Sequence, residues 1–141
     1  MPASFQRTIT NELHELESLM NASTNFLEDR EVDAQAVYRM NLGLEEMITN
    51  IIKHGYDDYD SHKIQVTIEA LDDEIAAIIE DDGHEFNPLE WVKKDGPPTL
   101  DTGKLGGLGI GLIKKMFEHV GYRRDNGRNI LELRTSRQKP S

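Results

Sequence analysis

The sequence contains no cysteine, which excludes a disulfide, a thiolate nucleophile and a cysteine-held zinc or iron–sulfur cluster. It also lacks any apolar run near the roughly 20 residues of a membrane span, and no signal-peptide pattern opens it. Positive charge is scarce: 16 Lys and Arg stand against 26 Asp and Glu, a formal balance of −10. That balance argues against a surface covering nucleic-acid phosphates and against electrostatic attachment to an anionic membrane. It is uneven, because residues 122–141 hold six Lys/Arg and two Asp/Glu, a local +4 that leaves −14 for the rest. Internal repeats and long low-complexity tracts are absent. What is present is 141 residues, 37% apolar and 30% charged. This is enough Leu, Ile and Val for one domain, with little room for a second core. Cytoplasm is the expected compartment.

Periodicity supplies the elements. Residues 5–10 alternate Phe5, Arg7 and Ile9 against Gln6, Thr8 and Thr10, as a half-buried strand does. Leu13, Leu16, Leu19 and Met20 fall at helical spacing in 12–29, with Phe26 and Leu27 further along. Asp33 is placed to cap a second helix over 34–53, whose apolar face runs from Val37 through Met40, Leu44, Met47 and Ile48 to Ile52. His54-Gly55 is expected to close it, with glycine in a left-handed conformation. The acidic tract at 57–60 reads as a solvated loop. Strict alternation predicts a strand over 63–70, and IAAIIED predicts a more buried one over 75–81, with Asp72-Asp73 as the hairpin turn.

A long Gly- and Pro-rich stretch, 93–107, follows and reads as a functional or disordered loop. Leu108, Leu112, Ile113, Met116, Phe117 and Val120 then predict a third helix. Asp125-Asn126-Gly127 predicts a tight turn between strands near 121–124 and 128–135. Residues 136–141 read as a frayed tail. This order favours an α/β two-layer sandwich, with helices on one face of a mixed, mostly antiparallel sheet. It does not suit a doubly wound sheet, which needs repeated strand–helix–strand units.

Three clusters carry chemistry. Glu46 and Asn50, four apart on the second helix, share a face. A carboxamide oxygen can ligate Mg²⁺ while a carboxylate deprotonates a nucleophile, although a solvated polar stripe would look the same. Asp81-Asp82-Gly83 ends the buried strand. A carboxylate there can accept from an amino group on a bound base, and Gly83 permits close backbone approach; an acidic turn before the Asn87-Pro88 break is the alternative. The spacing does not supply the ligands of an EF-hand, and His84 has no histidine at a partnering interval, so it reads as a surface or supporting residue. Gly106, Gly107, Gly109 and Gly111 stand where the long loop becomes a helix. Backbone N–H groups there can face phosphate oxygens, and a flexible hinge with a helix cap is the competing reading. No strand precedes this run closely enough for a Rossmann turn, and no Lys-Ser/Thr follows it as in a P-loop.

The order of these clusters, across roughly residues 5–135, resembles the GHKL-type ATP-binding domain shared by DNA gyrase B, Hsp90, MutL and sensor histidine kinases. More closely, it resembles the small bacterial anti-sigma factor serine kinases. The helical E-x-x-x-N, the His54-Gly55-Tyr56 that follows it, the D-x-G at Asp81–Gly83 and the trailing Phe86-Asn87-Pro88 carry the likeness. Two departures stand out: Glu85 replaces the second glycine of many D-x-G-x-G motifs, and Arg128–Thr135 lacks a Gly-Thr common in relatives.

The resemblance implies ATP and Mg²⁺ as cofactors, with Glu46 as general base, Asn50 as magnesium ligand and Asp81 on adenine. It implies Gly83 in the pocket, and Gly106, Gly107, Gly109 and Gly111 around the phosphates at the end of a mobile lid, 93–107. It further implies a single kinase-like domain over 1–141 that phosphorylates a STAS-type anti-sigma factor antagonist on serine and holds a sigma factor inactive. A homodimer through an apolar face of 12–27 is possible, and neither nucleic acid nor membrane is implied. Two other readings fit the same motifs. One is a GHKL-like module that sequesters a regulator with weak or no kinase activity; the other is a detached histidine-kinase catalytic domain.

Overall fold

In the computed structural model, which describes residues 3–56, 60–90 and 109–137, both periodicities become elements. The order is β1 (Ala3–Thr10), α1 (Leu13–Asp29), α2 (Ala34–His54), β2 (Lys63–Ala70), β3 (Glu74–Asp81), α3 (Gly109–Met116), β4 (His119–Asp125) and β5 (Arg128–Ser136). The strands form one sheet in the order β1-β2-β3-β5-β4. Each of the pairings β1–β2, β2–β3, β3–β5 and β4–β5 is antiparallel. Because strand side chains alternate, Ile64, Val66 and Ile68 of β2, Ile75, Ala77 and Ile79 of β3 and Leu131 and Leu133 of β5 share one face, and all are buried. α1 and α2 cover that face with Leu19, Leu27, Met40, Leu44, Met47 and Ile48, each fully buried. Burial at this level is worth about 1.5–3 kcal/mol per large apolar side chain, so the pattern alone commits the helices to one side of the sheet. The fold is the expected α/β sandwich, but in place of the expected mixed sheet every strand pairing among the described residues is antiparallel.

Local chemistry sets the boundaries. Asp33 caps α2 by accepting from the Gln35 N–H at 3.1 Å. Leu71 N–H donates to the Glu74 carbonyl at 2.8 Å and closes the β2–β3 hairpin around Asp72-Asp73. Asn126 and Gly127 both take positive φ, 51° and 76°, as the tight β4–β5 turn requires. Gly55 departs from expectation. Its φ of −88° is right-handed, so the left-handed closure predicted for it does not occur. Glycine is needed there for another reason: a Cβ would sit 2.7 Å from the Ile51 carbonyl oxygen.

The third helix is shorter than its apolar spacing predicts. It ends at Met116, and Val120 belongs to β4, where it pairs with Leu133. Val120 lies four residues after Met116, so a strand residue happens to extend the helical period. Its cross-strand partner decides the matter. At the C-terminus β5 includes Ser136, and Arg137 is held by its side chain to the Leu71 and Arg30 carbonyls at 2.6 and 2.5 Å. The expected frayed tail therefore does not begin at 136, and residues 138–141 lie outside the described residues. So does the whole stretch 93–107 expected as a lid. The apolar face of α1 forms core through Leu16, Leu19, Phe26 and Leu27, while Leu13 remains 46% exposed.

Candidate nucleotide site

α2 presents the first pair. Asn50 is 2% exposed, and its Nδ2 donates to the Glu46 carbonyl at 2.7 Å. This bond commits the amide nitrogen and leaves Oδ1 as the atom able to ligate a cation. Glu46 is half-buried, and its Oε2 is buried with no hydrogen-bond partner among the described residues. Burial raises the Glu46 pKa above the ordinary glutamate value, the Glu45 charge raises it further, and Lys53 opposes both. An unsatisfied carboxylate oxygen is costly to keep, about 1–3 kcal/mol or more.

The second cluster closes on the C-terminal end of α2. Asp81, 1% exposed, accepts at Oδ2 from the Gly83 N–H at 2.8 Å and, at 3.4 Å, from Asn129 Nδ2. Burial raises its pKa most, and the two donors pull it back. The next residue of the turn, His84, donates its N–H to the Gly55 carbonyl at 3.2 Å. A Cβ on Gly83 would lie 2.3 Å from that same carbonyl oxygen, so glycine here serves the meeting of two chain segments. Tyr56 stands beside the carboxylate. Its hydroxyl is buried, and burial, then the charges of Asp81 and Asp82 and a hydrogen bond to the Asp81 carboxylate, raise its pKa.

The structure thus sets Glu46 and Asn50 on one helix face and brings Asp81 and Gly83 against that helix where it ends. Gly55 follows Asn50 by five positions, about 7.5 Å of helical rise. Gly109 opens α3, and Gly111 is exposed with nothing within 4 Å of a Cβ built on it. Gly106 and Gly107 lie outside the described residues. α3 is anchored at its C-terminal end: Lys114 Nζ donates to the Leu89 carbonyl at 2.7 Å, and the ring of Phe117, just past the helix, packs so closely on Gly43 that a Cβ would be 2.8 Å from Cζ. His84 is exposed, as expected.

Sequence reading missed Asn129, which is 3% exposed and receives Tyr122, Arg124 and the Phe86 N–H on its oxygen. A signal existed: Asn129 falls on the inward parity of β5 with Leu131 and Leu133, and a polar residue in an apolar row is informative. Tyr56 and Arg124, the latter donating to the Gly83 carbonyl at 2.8 Å, carried no comparable signal.

A one-faced antiparallel sandwich with a polar pair inside its second helix and a carboxylate turn at a strand end defines a nucleotide-binding ATPase class. The chain belongs to the histidine kinase-like ATPase domain family, whose profile matches residues 9–135. Among relatives it is similar to the serine-protein kinase RsbW of Staphylococcus aureus, for instance from strains JH9 and Newman. The identity is 30% over 94 residues, 63% of this chain and 59% of the relative's length. The solved structure of the RsbU and RsbW domains of Rv1364c from Mycobacterium tuberculosis shares the fold, with a TM-score of 0.68 at 14% identity. That match covers 99% of this chain and 34% of the other.

The donor set fits the cofactors of such a family. Asn50 offers a carboxamide oxygen of the hard type Mg²⁺ takes. Glu46 Oε2 is an unpartnered acceptor among the described residues, and Asp81 is a buried carboxylate that could accept a further hydrogen bond.

Proposed function

We propose that the chain is a cytoplasmic, ATP- and Mg²⁺-dependent serine protein kinase of the anti-sigma regulatory type. Its substrate would be a STAS-type anti-sigma factor antagonist, and its other partner a sigma factor or similar regulator. The observation that carries this reading is the Glu46 carboxylate, half-buried, with one oxygen unpartnered and its pKa raised. A base is most effective when its pKa approaches the working pH, and Glu46 is moved in that direction. In the proposed reaction Glu46 takes the proton of a serine hydroxyl on the partner as that oxygen attacks the γ-phosphorus of ATP, and the bond from the γ-phosphorus to the bridging oxygen breaks to release ADP. Asp81 accepts from the adenine amino group and fixes the base. Asn50, with the phosphate oxygens, would hold Mg²⁺, which when bound neutralises phosphate charge. The glycines 106, 107, 109 and 111 would offer backbone N–H groups to the same oxygens. Phosphoryl transfer asks mainly for positioning and electrostatics, and a chain of net charge −10 can supply both through amides and a cation.

Incubation with a STAS-type antagonist protein and γ-labelled ATP tests the proposal. The expected product is acid-stable phosphoserine on the partner. Acid-labile label would move the reading to a histidine kinase, and nucleotide binding without any transfer would move it to a sequestering module.

A further inference from the structure

Asn129 stands opposite Asp81 in the β3–β5 pairing, and all of its polar capacity is directed. Oδ1 accepts from the Tyr122 hydroxyl at 2.6 Å, from Arg124 Nη1 at 3.1 Å and from the Phe86 N–H at 3.3 Å. Nδ2 donates to the His84 carbonyl at 2.8 Å and faces Asp81 Oδ2 at 3.4 Å. Reversing the amide would set its oxygen against a carboxylate and a carbonyl and its nitrogen against three donors, so only one orientation is satisfied. One side chain therefore fixes the carboxylate of Asp81, the carbonyl of residue 84 and the N–H of residue 86.

The geometry points to Asn129 as a positioning residue for base recognition: it locks the Asp81 carboxylate and its turn so that the acceptor edge meets the exocyclic amine of adenine. This rests on the reading of Asp81 as the base acceptor. Oδ2 is occupied by two N–H groups, from Gly83 and Asn129, which leaves Oδ1, beside Tyr56, as the acceptor that this reading gives to the amine. Without Asn129 the carboxylate keeps the Gly83 bond but gains freedom to rotate. The turn itself stays attached through Arg124 to the Gly83 carbonyl and through His84 N–H to Gly55. Selectivity, more than fold, is then what Asn129 contributes.

The test compares dissociation constants for ATP and inosine triphosphate, which carries a carbonyl in place of the amine, in wild type, Asn129→Ala and Asn129→Asp. Wild type should prefer ATP by about tenfold or more, the size expected of one hydrogen bond to a charged acceptor. Both variants should lose preference to within about threefold, chiefly by weakened ATP binding. The ratio is the readout, because an added carboxylate at 129 repels both triphosphates alike. Asn129→Asp keeps an acceptor for Tyr122, Arg124 and Phe86 and carries the test should Asn129→Ala fail to fold. If neither folds, the role is structural and the proposal falls. Folded variants that retain the wild-type ratio overturn the role of Asn129 alone. A wild type that binds both nucleotides equally removes Asp81 as amine acceptor, and one that binds neither removes the ATP reading, so the two failures are distinguishable.

Discussion

Glu46, half-buried, and Asp81, buried, are carboxyls whose pKa values are raised, in each case chiefly by burial. A raised folded-state pKa means that the protonated form is the one the fold favours. The associated stability is fully present below the unfolded pKa and is lost as pH rises through the folded one. Activity runs the other way, since a base must be ionised. The acid limb of the rate profile should therefore lie above the ordinary glutamate pKa, over the window in which stability declines, and parallel melting and rate measurements against pH would show it. Glu46→Gln removes the unpaired charge. It should lower phosphoryl transfer by about 10²–10⁴-fold while raising the melting temperature by about 2–5 °C near neutral pH, which calorimetry and a transfer assay would check together. Gly83→Ala should cost stability and nucleotide affinity together, because the obstacle at 2.3 Å is the Gly55 backbone and cannot rotate away. The pair Glu46/Asn50 and the Asp81 turn were legible in the sequence as types at a spacing. The orphaned oxygen and the Gly55–Gly83 approach were not, because both depend on which segments meet.

At the scale of elements, α2 is the organiser. Gly43 in its middle costs about 1 kcal/mol in helix propensity relative to alanine, yet it admits the Phe117 ring and the Leu133 side chain, both buried. Gly43→Ala should therefore destabilise by about 1–3 kcal/mol despite the gain in propensity, measurable by urea unfolding. It should also disturb α3, whose end Phe117 anchors. Strand alternation and the Asn126-Gly127 turn made the sheet readable, because each rests on neighbours in sequence. The end of α3 was misread because Val120 satisfies a helical period and a strand parity at once, and only its pairing with Leu133 separates them. The tail was misread for a similar reason. Polar residues at a terminus look frayed until Arg137 is seen clasping Leu71 and Arg30. Arg137→Ala should cost about 1–2 kcal/mol, detectable in the same unfolding experiment.

For the molecule as a whole, scarcity of positive charge turned out to constrain less than it first suggests. It disfavours nucleic acid, but a phosphate ligand needs only local donors, and backbone amides and a divalent cation provide them without basic side chains. Membership of the histidine kinase-like ATPase domain family rests on residues 9–135, and Glu46, Asn50 and Asp81 are the parts of the site proposed for that fold. The substrate and regulated factor of the proposed function would be recognised by surfaces whose partners no spacing rule encodes. Titration with a non-hydrolysable ATP analogue, with and without Mg²⁺, in wild type, Asn50→Ala and Asp81→Asn bears most directly on the claim that these residues form an ATP site. The account predicts saturable binding strengthened by Mg²⁺ in wild type, loss of that strengthening in Asn50→Ala, and at least about tenfold weaker binding in Asp81→Asn. Absence of wild-type binding at millimolar nucleotide, or binding that neither substitution alters, would contradict it.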